Sequence, residues 1–143
     1  MPLLTGLCEP TKLLAFAQPP DQKTTTDILN RIREDLHPGQ RQFVDDQSTE
    51  IIGVSAGSRA GKTRALCAKA VFMAAANQGF TGCVMEPTGP LIRDIWQTDF
   101  DNFLEEYEIP YTFRASPLPE YILHLEKDTK LLCRSFENWQ RII

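Results

Sequence analysis

The run Ala56-Gly57-Ser58-Arg59-Ala60-Gly61-Lys62-Thr63 constrains this chain more than any other stretch. It fits the pattern G-x-x-x-x-G-K-[ST] at every position but the first, where Ala56 replaces glycine. Upstream, Glu50 to Ser55 is short, apolar and β-branched, the pattern of a strand buried on both faces. Downstream, Lys62 to Gln78 is rich in alanine and carries only Arg64 and Lys69 as further charges. It reads as a buried helix ending at Gly79, which supplies a left-handed cap. Strand, glycine-bearing turn and helix in that order aim backbone N–H groups and a helix N-terminus at one point, the geometry that receives phosphate.

The roles follow from charge and reach. Gly57 and Gly61 permit the tight loop, the Lys62 ammonium neutralises β- and γ-phosphates, and the Thr63 hydroxyl ligates Mg²⁺. A triphosphate with magnesium is the implied ligand. Arg59 pairs with a phosphate oxygen or a partner's carboxylate, or stands solvated, so Lys62 and Arg59 are the catalytic candidates. Pro38-Gly39-Gln40-Arg41-Gln42-Phe43 places Gln40 at a helix start, where its amide matches the N6 and N7 edge of adenine or serves as a surface group.

The rest of the chain supplies a frame. Residues 1–23, with Pro2, Pro10, Pro19 and Pro20 and no sustained period, read as an irregular arm. Thr26 or Asp27 caps a helix carrying Ile28, Ile32 and Leu36, which His37-Pro38 stops, and a short helix follows from Gly39 to about Asp46. Gly82 to Glu86 reads as a strand, and Pro87 to Pro90 as a turn into a helix. That helix carries an apolar stripe of Ile92, Ile95, Trp96, Phe100, Phe103, Leu104 and Tyr107, with Asp94, Asp99, Asp101, Glu105 and Glu106 on a solvated face. Tyr111 to Arg114 reads as a strand; Tyr121 to Leu125 and Lys130 to Phe136, joined at Lys127-Asp128, read as a hairpin. This order predicts an α/β fold with a parallel sheet.

Composition narrows the partners. A length of 143 residues fits one domain, and a net charge of −4 argues against a uniformly basic nucleic-acid surface. Cys8, Cys67, Cys83 and Cys133 form no CxxC pair, and His37 and His124 stand at no metal-ligand spacing from them, so reduced thiols are expected. No apolar run nears the roughly 18 residues that span a bilayer, and no secretory signal pattern opens the chain, which predicts an intracellular protein without a membrane partner.

Taken in series, Pro-x-Gln-x-x-Phe, apolar strand, arginine-bearing phosphate loop, strand ending Glu86-Pro87-Thr88, aromatic helix and hairpin ending Cys133-Arg134-Ser135, the chain from about residue 36 to 143 resembles the ATPase domain of phage terminase large subunits. The resemblance implies a P-loop NTPase-type three-layer fold with a mostly parallel sheet, incomplete at its C-terminal side. Residues 24–143 would form a partial ATPase domain, with the nuclease domain absent. It implies ATP and Mg²⁺ as cofactors: Gln40 on the adenine, Gly57, Ser58, Arg59, Ala60, Gly61, Lys62 and Thr63 on the phosphates, and Thr63 on the metal. Thr88 would touch DNA or cap its helix. The implied partners are double-stranded DNA, a portal protein, a terminase small subunit and further copies of the chain, in the host cytoplasm at the procapsid.

A Walker B strand ending in a magnesium-organising carboxylate is missing from this pattern. Val84-Met85-Glu86 is short and occupies the second-strand position, and Ile122 to Glu126 alternates like a half-exposed hairpin strand. In the family that segment follows a stretch like Asn138 to Ile143, so the chain reads as a fragment. A helicase-like P-loop ATPase shares the glutamine, loop and Pro-Thr features, and the hairpin favours the terminase. A nucleotide-binding module without turnover is the reading from a different class.

Overall fold

A computed structural model of the chain describes residues 24–137. The arm read at 1–23 and the stretch Asn138 to Ile143 lie outside the described residues. Helix α1 spans Thr25–Asp35 and is capped by Thr24 rather than Thr26 or Asp27, the Thr24 hydroxyl accepting from the Asp27 N–H at 3.3 Å. Ile28 and Ile32 lie on its buried face; the chain turns extended at Leu36 and stays extended at His37, the residue that Pro38 keeps out of the helical region. Helix α2 spans Pro38–Asp45 and helix α3 spans Lys62–Ala76. Gly79 takes the left-handed conformation at φ +83° in the turn that leads to strand β1, Thr81–Glu86.

A long helical stretch, α4, then begins as Gly89–Leu91, widens into a π-helical segment at Ile92–Gln97 and resumes as Thr98–Glu106. Thr88 caps it, its hydroxyl accepting from the Leu91 N–H at 3.4 Å. The wider π winding sets residues four apart on one face. Ile92, Trp96 and Phe100 are accordingly buried while Ile95, part of the expected stripe, is 48% exposed. Strands β2 (Tyr111–Arg114), β3 (Glu120–His124) and β4 (Asp128–Ser135) follow.

The sheet differs from the expected three-layer, mostly parallel arrangement. Its order is β1-β4-β3-β2, and only β1 and β4 run parallel; β2–β3 and β3–β4 are antiparallel. The connections 115–119 and 125–127 force this, because a parallel return needs a crossover of about a dozen residues or more. Nor, among the described residues, is the sheet wrapped on both faces. Along β4, Thr129, Leu131, Cys133 and Ser135 are buried, whereas Lys130, Leu132 and Arg134 remain at least partly exposed. That period of two marks a sheet with one covered face. Tyr121 and Leu123 of β3 join the buried face; there Phe100 of α4 meets the Tyr121 ring edge-on at 5.0 Å, and the Thr129 hydroxyl donates to the Ala74 carbonyl of α3 at 3.4 Å.

The strand expected at Glu50 to Ser55 does not form. These residues pair with no strand among those described, and Ile51 is 88% exposed. An apolar β-branched run becomes a strand only when a neighbour accepts its backbone hydrogen bonds, and neither β1 nor β4 does so.

The helix and strand directions place the loop. The turn after α3 lies beside the β3–β4 turn, where Gln78 Oε1 accepts from the Lys127 N–H at 2.6 Å and the Gly79 N–H donates to Thr129 Oγ1 at 3.4 Å. From there β1 runs back along α3. The 15 residues of α3 span about 22 Å, close to the length of β1, so the N-terminus of α3 stands at the end of the sheet where β1 and β4 finish. Glu86 shares that end. Glu126, in the turn between β3 and β4, stands at the opposite one. Among the described residues no helix is long and apolar enough to cross a membrane.

Candidate phosphate-binding site

Helix α3 opens without a side-chain cap. Its N-cap is Gly61 at φ +75°, and its first intrahelical bond runs from the Ala65 N–H to the Gly61 carbonyl at 3.0 Å. The N–H groups of Lys62, Thr63 and Arg64 precede that bond and have no partner within the helix, and the helix dipole adds partial positive charge there. An anion is the natural complement.

The loop before it is exposed from Gly53 to Ala60 and turns tightly, the Ala60 N–H donating to the Gly57 carbonyl at 3.4 Å. Lys62 folds back over this turn: its ammonium donates to the Ala56 and Gly57 carbonyls at 2.8 and 2.7 Å. It therefore sits against the loop as a positive charge held by two weak acceptors that a phosphate oxygen would outcompete. Arg59 is in the left-handed region at φ +63° without being glycine, a conformation that costs roughly 1–2 kcal/mol.

A cleft of about 540 Å³ opens beside the loop, its walls including His37, Gln40, Phe43, Val54, Arg59 and Lys62. Of the sequence-derived candidates, Gln40, Arg59, Ala60, Gly61 and Lys62 line this cleft. Gly57 and Ser58 form the exposed turn beside it, and Thr63 occupies the first turn of α3, partly buried. The candidates are thus brought to one place.

A triphosphate bound here would meet the uncapped start of α3 and the adjoining Lys62 ammonium. For Mg²⁺ the described residues offer the Thr63 hydroxyl at the same helix start and no group of three His, Cys, Asp or Glu side chains placed to hold a metal. A magnesium ion here would be shared with the phosphates and water, as that small, reluctantly dehydrated ion usually is.

Two features escaped the sequence. His37, expected only to end α1, caps α2: its Nδ1 accepts from the Gln40 N–H at 3.3 Å while Gln40 Oε1 accepts from the His37 N–H at 3.1 Å. A glutamine three residues after a polar residue was the available signal for this capping box. Arg64, next to the loop, anchors the start of α3 to α4. It donates to both Glu106 carboxylate oxygens at 2.9 and 2.8 Å and to the Tyr107 hydroxyl at 2.6 Å. Hydrogen bonding to Arg64 holds the Glu106 carboxyl below its usual range, and bonding to Glu106 pushes the Arg64 guanidinium upward. The partners lie 42 and 43 residues away in sequence, beyond any local pattern.

No protein-family model, no curated protein and no solved structure matches this chain.

Proposed function

We propose that this chain binds ATP with Mg²⁺ at Gly57 to Thr63, as the ATP-binding part of a motor that moves double-stranded DNA. The observation that carries the nucleotide half is the Lys62 ammonium folded onto the loop at an uncapped helix start, with a cleft alongside large enough for a nucleoside. Phosphates occupy the helix N-terminus, Lys62 leaves the Ala56 and Gly57 carbonyls to meet them, and Arg59 lies within the same cleft.

The DNA-motor half rests on the sequence resemblance to phage terminase large subunits, which also brings the portal protein, the small subunit and further copies as partners. The mixed four-stranded sheet lends it no support.

Titration calorimetry with ATP and Mg²⁺ tests the nucleotide half. Saturable binding is expected in the unmodified chain and at least a tenfold loss in Lys62→Ala, since one charge-assisted contact of about 1.5–3 kcal/mol disappears. Equal affinity in the two proteins would sink the assignment.

A further inference from the structure

We infer that Gln40 is a positioning residue for the phosphate loop and not the reader of the base. This rests on the phosphate-binding reading of the loop. Gln40 is only 8% exposed, and both ends of its amide are committed within the chain. Its Oε1 accepts from the His37 N–H at 3.1 Å, and its Nε2 donates to the Gly61 carbonyl at 3.0 Å. The amide's orientation is unambiguous, because a backbone N–H only donates and a carbonyl only accepts. Bidentate pairing with adenine requires one donor and one acceptor from the same amide; each atom here keeps one N–H or lone pair beyond its backbone bond, but at 8% exposure the amide is largely withheld from a base.

The Gly61 carbonyl is the acceptor of the first bond of α3, from the Ala65 N–H. Gln40 therefore holds the atom from which the phosphate-facing end of α3 starts. The approach is close: a Cβ on residue 61 would stand 2.5 Å from Gln40 Nε2 and would push the amide off its bond, while the positive φ of Gly61 is the stronger demand for glycine. His37 reinforces the link, its Nε2 lying 3.5 Å from the Ala60 carbonyl while its Nδ1 caps α2. Helix α2 is thus clamped to the loop at two successive carbonyls. Loss of the clamp leaves the helix N–H groups and Lys62 in place but no longer aimed together, a loss felt by phosphate and not by base.

The test compares inorganic tripolyphosphate, ATP and GTP, each with Mg²⁺, on the unmodified chain, Gln40→Met and Gln40→Glu. Methionine removes both bonds without adding charge. Glutamate keeps the acceptor for the His37 N–H, so α2 stays capped, but cannot donate to Gly61; its buried charge is poorly screened by salt and repels all three anions, so this variant is read by the ATP-to-GTP ratio alone. Circular dichroism melts confirm that affinities are compared well below unfolding. A positioning role weakens all three ligands by the same factor in Gln40→Met, about fivefold to tenfold for the lost bond to Gly61, and leaves the ATP-to-GTP ratio unchanged in both variants. Weakening of ATP alone, with tripolyphosphate and GTP unaffected, would overturn the inference and make Gln40 a base reader. Failure of the unmodified chain to bind any of the three would overturn the phosphate-loop reading itself.

Discussion

Replacing Tyr107 with phenylalanine removes one oxygen from the junction of α1, α3 and α4 and leaves the ring. That ring is fully buried, 4.8 Å from Phe103 between centroids, with the Arg31 and Arg64 guanidinium carbons 5.5 and 5.6 Å from its centre. The hydroxyl accepts from Arg64 at 2.6 Å and donates to Asp35 at 2.9 Å. Hydrogen bonds to charged groups contribute about 1.5–3 kcal/mol each. Arg64, however, keeps both Glu106 contacts and its side chain is 37% exposed, and Asp35 is exposed and regains water. Discounted for that solvent access, the change costs about 1–2 kcal/mol in total, or roughly 3–10 °C in Tm for a chain of this size. Burial first, and the hydrogen bond to Asp35 second, push the Tyr107 phenol up to about 12 from its ordinary value of 10.0. A raised folded value means the contribution is complete below the unfolded value and is lost as pH rises through the folded one. Urea midpoints should therefore differ by a constant amount from neutral pH to about 10 and converge above it. An unchanged midpoint at pH 7, or a gap that persists through pH 12, would refute the assignment of this hydroxyl as a structural link.

Arg59→Gly should relieve the backbone strain at φ +63° and raise stability by under about 1 kcal/mol, glycine's larger unfolded-state entropy offsetting part of the gain. Triphosphate affinity should fall at the same time, and calorimetry showing lower stability with unchanged affinity would contradict a phosphate role. Burial pushes the Cys67 and Cys133 thiols up to about 12, and both are inside the core, whereas Cys83 is exposed on β1. Labelling of the native chain at mildly alkaline pH, mapped by mass spectrometry, should reach Cys83 well before either of the others; rapid native labelling of Cys67 would count against the packing of α3.

Much of this frame is local and was legible in the residues. The α1 stripe, the short α2 (expected from Gly39, starting at Pro38), the alanine-rich α3 and all four strands that formed carry their own periodicity or punctuation. Failures came where a neighbour decides. Glu50 to Ser55 has the composition of a buried strand, but pairing is a property of two segments, and the described residues offer it no ladder. The single covered face of the sheet is encoded in the alternation of β4, yet Thr129 and Ser135 point inward and Leu132 outward, which blurs the polar and apolar signal. The π winding of Ile92–Gln97 shifted Ile95 off the stripe. At the site, spacing alone gathered Gly57 to Thr63, while the clamp from Gln40 to Gly61 and the Arg64 to Glu106 pair are contacts 21 and 42 residues apart.

Amide chemical-shift mapping by ¹⁵N NMR during addition of ATP and Mg²⁺ tests the central claim most directly. The largest shifts should fall on Gly57 to Arg64, the loop and the free N–H groups of α3, and should vanish in Lys62→Ala. Shifts centred elsewhere in the fold, or the same loop shifts without Lys62, would contradict a phosphate site at this helix start.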